Sequence, residues 1–247
     1  MKYNIYKDLA NNYNEFIENI KDYFKNSDNS IHKARNEIKI IEFQNQELVI
    51  KAFKIPNIIN KIVYSFFRDT KAKKSYDNSV KIIDFVPKPI GYIEFTKFGL
   101  LHDSYFISEN FKYDLTIREP LLDINYPGKE NIFKQFAKFT FDLHENNILH
   151  LDYSPGNILI KKDEDNYIFK IVDINRMQFK TLSLEDRLSN FAKLWAKDED
   201  LKIIIKEYAK LIDEDEKKSI NIALKYSQSH KDRINAKKRR RGQKVVD

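Results

Sequence analysis

The hydrophobic patterning of this chain shifts near residue 112 from largely strand-like to largely helical, and that shift limits the folds open to it more than any other feature. Before it, apolar residues come in short runs: Ile38, Ile40, Ile41 and Phe43, then Leu48, Val49 and Ile50, around an expected turn at Asn45-Gln46. Runs of that kind read as strands, because successive strand side chains point to opposite faces. VPKPIGYIEF reads as a turn and a strand, and Phe98-Gly99 as a hairpin leading into 102–107. After residue 112 the period becomes helical. Ile132, Phe133, Phe136, Phe139 and Leu143 share one face, as do Leu201, Ile204, Ile205, Tyr208 and Leu211. One hairpin interrupts them, with apolar runs at 158–160 and 167–172 around the acidic turn 162–166. The expected fold class is therefore α+β in two lobes, a small β-rich first lobe and a mostly helical second one. The expected divisions are 1–110, 111–230 and a basic tail at 231–247.

Helical spacing also occurs inside the first lobe. The opening ~25 residues carry Tyr6, Leu9, Tyr13 and Phe16 at helical intervals. A second helix places Ile58, Ile59, Ile62, Val63, Phe66 and Phe67 on one face, and a third, over 71–83, uses Ala72, Tyr76, Val80 and Ile83. The apolar face of the 57–68 helix has two readings: packing on the small lobe, or lying at an anionic membrane interface with Lys61 and Arg68 near its polar side.

A hydrophobic fraction of 42% over 247 residues is enough for a buried core. The absence of cysteine excludes disulfides, thiolate catalysis and thiolate-bound zinc. Nothing approaches the ~18–20 apolar residues that span a bilayer, and the N-terminus lacks the apolar core of a signal peptide. A cytoplasmic protein, peripheral on the inner face of the inner membrane, is the expectation. The net charge of +7 is unevenly spread: residues 51–81 and 231–247 each carry +6, so the rest is mildly acidic. Two such concentrations point to an anionic partner, while the C-terminal one also reads as a solvated tail.

The segment that carries chemistry is His150-Leu151-Asp152-Tyr153-Ser154-Pro155-Gly156-Asn157, followed by an apolar run and Asp173. Magnesium-dependent phosphoryl transfer needs oxygen ligands for the metal and a carboxylate to orient and deprotonate the attacking hydroxyl. An Asp and an Asn five residues apart on one loop supply both, and a short hairpin can return a second carboxylate to the same ion. The composition alone would produce His-x-Asp-x4-Asn about 0.04 times in such a chain, so chance explains it poorly. The purely structural alternative has Asp152 capping a turn, Asn157 in a turn with Gly156, and Asp173 ending a strand.

HLDYSPGNILI, the Asp of IVDINRMQF and the upstream LVIKAFK resemble the protein-kinase-like fold, and within it the lipopolysaccharide kinases that phosphorylate Kdo or heptose of the lipid A–core region. The resemblance runs from about residue 33 to 230. It implies that Asp152 is the catalytic-loop carboxylate, that Asn157 and Asp173 bind magnesium, and that Lys51 neutralises the phosphates of ATP. It also implies a helix carboxylate beside Lys51, here Asp77, with Asn78 as the other register. His150 would brace the loop.

Three departures from protein kinases bear on the acceptor. Residues 33–50 contain no glycine, so phosphate cover would come from backbone and side chains near Lys33, Arg35 and Asn36. Leu151 stands where an arginine would read a phosphorylated activation loop. After Asp173 comes Ile-Asn-Arg, and only 74 residues remain, too few for a peptide-docking lobe. The implied partners are ATP, Mg²⁺, a glycolipid or sugar acceptor, and an anionic membrane met through 54–74 and 231–247, with no nucleic acid. The alternative function is a small atypical protein kinase or ATPase serving a ribosome- or tRNA-related partner.

Overall fold

The computed structural model describes residues 1–33, 36–243 and 245. Arg35, Lys244 and Asp247, used above for phosphate cover and tail charge, lie outside the described residues. The chain divides into two units, one of residues 1–112 with 173–175 and one of 113–172 with 176–247.

The first unit is built on a six-stranded antiparallel sheet of β1 (Lys2–Ile5), β2 (Ser30–Lys33), β3 (Glu37–Phe43), β4 (Gln46–Phe53), β5 (Pro89–Lys97) and β6 (Leu100–Glu109), in the order β1-β5-β6-β4-β3-β2. The strand β1 was not expected, because the first residues read as helix. Its four residues are too few to show a period, and their pairing along β5, from Lys2 opposite Glu94 to Ile5 opposite Gly91, makes them a strand. That pairing needs a glycine: a Cβ at residue 91 would stand 2.6 Å from the Asn4 carbonyl oxygen. The helical pattern begins after it, as α1 (Ala10–Glu18) and α2 (Ile20–Asn26). Tyr13, Phe16, Ile17, Ile20 and Phe24 from these helices are buried against Leu48, Ile50, Ile93 and Ile107 of the sheet. The β3–β4 turn falls at Gln44-Asn45, one residue before its expected place, with φ of 51° and 61°. A two-residue turn with positive φ at both positions matches the twist of its strands, and Asn tolerates that conformation. Phe98-Gly99 turns as expected, again with both φ positive.

Two further helices follow β4. In α4 (Lys71–Lys81), Thr70 caps the N-terminus by accepting from Lys73 N at 3.1 Å. Its buried face is Ala72, Ser75, Tyr76 and Ser79, whereas Val80, expected inside, is exposed. Small serines let the helix approach the sheet, so the face is turned from the most apolar one. The helix α3 (Ile58–Phe66) buries no residue at all. Its apolar side faces outward, contrary to the reading in which it packs on the small lobe. Its polar side faces in: Ser65 Oγ accepts from Leu101 N at 2.8 Å and donates to Lys61 O.

The second unit holds α6 (Lys129–Glu145), with Ile132, Phe133, Phe136 and Leu143 of the expected stripe buried and Phe139 only half-buried, against Phe169. Around it lie β7 (Leu115–Thr116), α5 (Arg118–Leu122), β8 (Ile148–His150), the β9 (Ile158–Asp163) and β10 (Asn166–Ile171) hairpin, and β11 (Met177–Phe179). The chain continues through α7 (Leu184–Asn190), α8 (Asp198–Leu211) and α9 (Glu216–Arg240). Residues 231–240 are helical rather than a frayed tail. Lys231 Nζ donates to the Ala196 carbonyl at 2.7 Å, and Lys238 lies 5.6 Å from the Trp195 ring. Lysine and arginine are good helix formers, and cations at a helix C-terminus favour its dipole.

Candidate active site

In the first unit the candidate residue is Lys51. Strand alternation sends Ile50 into the core, fully buried, and Lys51 to the other face of β4. Its side chain is 13% exposed, and Nζ meets Asp173 Oδ1 at 2.8 Å. Asp173 sits at φ +57°, a left-handed conformation that costs a non-glycine residue about 1 kcal/mol. Asn175 Nδ2 donates to the same Oδ1 at 2.5 Å, and Asn78 Nδ2 of α4 donates to the Ile174 carbonyl at 2.7 Å. The segment carrying Asp173 is thus held on both sides of its carboxylate.

The expected ion pair between Lys51 and Asp77 is not formed. Asp77 pairs with Lys73 at 2.7 Å, one turn back along α4, where residues four apart are natural neighbours. Lys73 also meets Asp69 at 3.2 Å, and these two carboxylates, Asp77 foremost, hold its ammonium well above the usual lysine range. The face of α4 that reaches the Asp173 segment belongs to Asn78, the other register. Of the residues expected to cover phosphate, Asn36 accepts from Lys54 N at 3.3 Å and Lys33 lies 3.9 Å from Glu37.

In the second unit the 150–157 loop is tied down by its own sequence. Asp152 N donates to His150 Nδ1 at 3.0 Å, which leaves the proton on Nε2 to donate to the Val172 carbonyl at 3.0 Å. Buried His150 is therefore neutral and spans the turn. Asn157 Nδ2 donates to the Asp152 carbonyl at 2.9 Å, while Val172 N donates to the Asn157 carbonyl at 2.9 Å. Tyr153 is fully buried, stacked on Phe136, with its hydroxyl 2.8 Å from Thr140 Oγ1. Among the described residues, no hydrogen bond or ion pair engages the Asp152 carboxylate.

Sequence reasoning missed the support beneath this loop. Asn190 closes α7, whose start is fixed by a reciprocal cap between Ser183 and Asp186. Its Nδ2 donates to the His150 carbonyl at 2.9 Å, and its Oδ1 accepts from His144 Nε2 at 3.3 Å. Tyr208 completes the chain by donating to His144 Nδ1 at 2.7 Å. Burial lowers the His144 pKa to about 4, so the imidazole is neutral. Arg118 was also missed: a Cβ on Gly156 would stand 2.5 Å from its Nη2, so the guanidinium lies over the loop glycine. No spacing rule links such distant residues.

Residues 86–214, just over half of the chain, match the lipopolysaccharide kinase (Kdo/WaaP) family. The chain belongs to that family. It is a phosphotransferase that acts on sugar hydroxyls, and its membership implies the use of ATP. The matched residues include His150, Asp152, Asn157, Asp173 and Asn190, and exclude Lys51. A solved structure described as WaaP in complex with acyl carrier protein has a TM-score of 0.62 to this kinase, at 12% identity over 93% of this chain and 99% of that one. At that identity the likeness is one of fold: a β-rich first part and a helical second part. No curated protein matches the chain.

Proposed function

We propose that this kinase transfers the γ-phosphoryl group of ATP to a hydroxyl of Kdo or heptose in the lipopolysaccharide inner core, at the cytoplasmic face of the inner membrane. The observation that carries the reading is the Lys51–Asp173 contact at 2.8 Å, a mostly buried cation beside a carboxylate held in a left-handed turn. Lys51 binds the ATP phosphates and offsets their charge as the γ-phosphoryl group departs. Asp152 orients the sugar hydroxyl and takes its proton, its carboxylate being otherwise unengaged. The sugar oxygen forms the new bond to phosphorus, the bond from phosphorus to the β–γ bridging oxygen breaks, and ADP leaves with that electron pair.

Asn157 and Asp173 are the residues to hold magnesium. With Asn157 Nδ2 spent on the Asp152 carbonyl, the side chain's remaining polar atom is its oxygen, a hard donor suited to Mg²⁺. Among the described residues no three His, Cys, Asp or Glu side chains cluster to hold a metal. One carboxylate, one amide oxygen and phosphate oxygens need no such cluster. Magnesium there would supply neutralisation of phosphate charge. The cationic end of α9, Lys237 to Arg240, contacts anionic lipid.

Radiolabelled transfer to purified lipid A–core tests these assignments. Asp152→Ala and Asp173→Ala each abolish transfer, and Asp173→Ala also weakens Mg-ATP binding measured by calorimetry. Full transfer by either purified variant would remove the assigned roles.

A further inference from the structure

The helix α3 is docked inside out. Ile58 is 62% exposed, Ile59 69%, Phe66 67% and Phe67 77%, while Ser65 and Tyr64 on the opposite side are partly covered. This orientation is fixed rather than incidental. Asn57 caps the helix by accepting from Asn60 N at 3.0 Å, and Ser65 ties it to Leu101 on β6. Asn57, Asn60 and Tyr64 help to line a cavity of about 360 Å³ of mixed polar and apolar character. Leu101 is three residues beyond Phe98, the tip of the β5–β6 hairpin, which is 93% exposed. Water is a poor partner for five large apolar side chains, so a fold that spends hydrogen bonds on aiming them outward implies another medium.

We propose that α3 is an interfacial anchor: its apolar face enters the headgroup–acyl boundary of an anionic bilayer and its cations contact lipid phosphates. The charge pattern selects this occupant. Residues 54–68 carry Lys54, Lys61 and Arg68 and no acidic residue, and Asp69 is already paired with Lys73. Nine helical residues are too short to span a membrane, and among the described residues no helix is long and apolar enough to do so. A short amphipathic helix with flanking cations lies in the interface plane instead. The proposal extends the functional reading above, because a glycolipid acceptor is anchored in the leaflet the enzyme must approach.

Sedimentation with vesicles separates the possibilities. Full-length protein is mixed with sucrose-loaded vesicles of phosphatidylethanolamine with phosphatidylglycerol, or of phosphatidylcholine alone. The wild-type chain partitions onto the anionic vesicles, and the variant Ile59→Ser/Phe66→Ser/Phe67→Ser partitions at least tenfold less. Each of Lys61→Gln and Arg68→Gln weakens binding by roughly fivefold, less so at high salt. An unchanged melting temperature shows that the variants fold, since the substituted side chains are exposed. Transfer to a deacylated, water-soluble core oligosaccharide is unchanged in the triple variant, whereas transfer to acceptor embedded in vesicles falls. Equal sedimentation of wild type and triple variant overturns the proposal. So does capture by acyl carrier protein, or dimerisation seen by light scattering, that the same three substitutions abolish while vesicle binding persists. Loss of transfer to both acceptors by the wild type would instead strike the functional reading, with vesicle binding scored independently.

Discussion

Asn190 is the residue on which the shape of the 150–157 loop can be tested without touching a group that meets substrate. It is buried, and its amide bridges two partners, the His150 carbonyl and His144 Nε2. Asn190→Leu keeps the branching and number of side-chain heavy atoms and removes both bonds, leaving a carbonyl and an imidazole N–H buried without partners. Each stranded group costs about 1–3 kcal/mol, so the two together destabilise the protein by about 2–6 kcal/mol. With a urea slope of ~2–3 kcal/mol/M, the unfolding midpoint falls by roughly 0.7–3 M. The effect on chemistry is separable from that on stability. The His150 carbonyl is one residue from Leu151 and two from Asp152, so losing its anchor lets the loop carboxylate wander. The expected result, under conditions where the variant is folded, is a kcat at least tenfold lower with Mg-ATP affinity within twofold of wild type. Asn190→Asp distinguishes the two bonds, because a carboxylate still accepts from His144 and cannot donate to His150. It should resemble Asn190→Leu in kcat. A variant with the wild-type urea midpoint and wild-type kcat would refute the bridging role.

Stability should depend on acid through His144. Its folded pKa, about 4, lies below the ordinary 6.5, so the contribution is fully present above 6.5 and fades as pH falls towards 4, by up to roughly 3 kcal/mol. Urea titrations at pH 7 and pH 4.5 measure it, and His144→Phe should flatten the dependence. Phe136→Ala should cost about 3–5 kcal/mol, because Phe136 is fully buried among Tyr153, Phe169 and Phe191 and nothing can collapse into the space. Gly91→Ala should lower the melting temperature. The new methyl meets the Asn4 carbonyl oxygen and Ile17, and β1 must shift from β5 at a cost of about 1–3 kcal/mol.

Much of the architecture was readable because it is carried by local pattern. The stripe of α6, the hairpin after Asn157 and the turn at Phe98-Gly99 each follow from residues within a few positions of one another. The motif and the run after it also pointed to Asp173, whereas Lys51 was reached only through the family resemblance. What spacing could not supply is contact across the chain. Lys51 and Asp173 are 122 residues apart, and their pairing belongs to the folded first unit. Asp77 looked like the partner of Lys51 because it lies on the right helix. A neighbour four residues away takes it instead, and Asn78 faces the Asp173 segment.

Local pattern set where strands give way to helices, which loop holds the His, Asp and Asn, and where positive charge gathers. These are properties of near neighbours, and short-range sterics and burial preference suffice to set them. Tertiary structure alone decided that Lys2–Ile5 is a strand, that Asn190 and His144 brace His150, and that the most apolar helix of the first unit turns its greasy side away from the core. Each of those outcomes depends on what the rest of the fold offers as a partner, such as an edge of β5, a stranded carbonyl, or the Leu101 amide that holds Ser65 inward. A linear reading contains no such information, because the spacing of apolar residues along a helix defines a face and not the direction in which that face points.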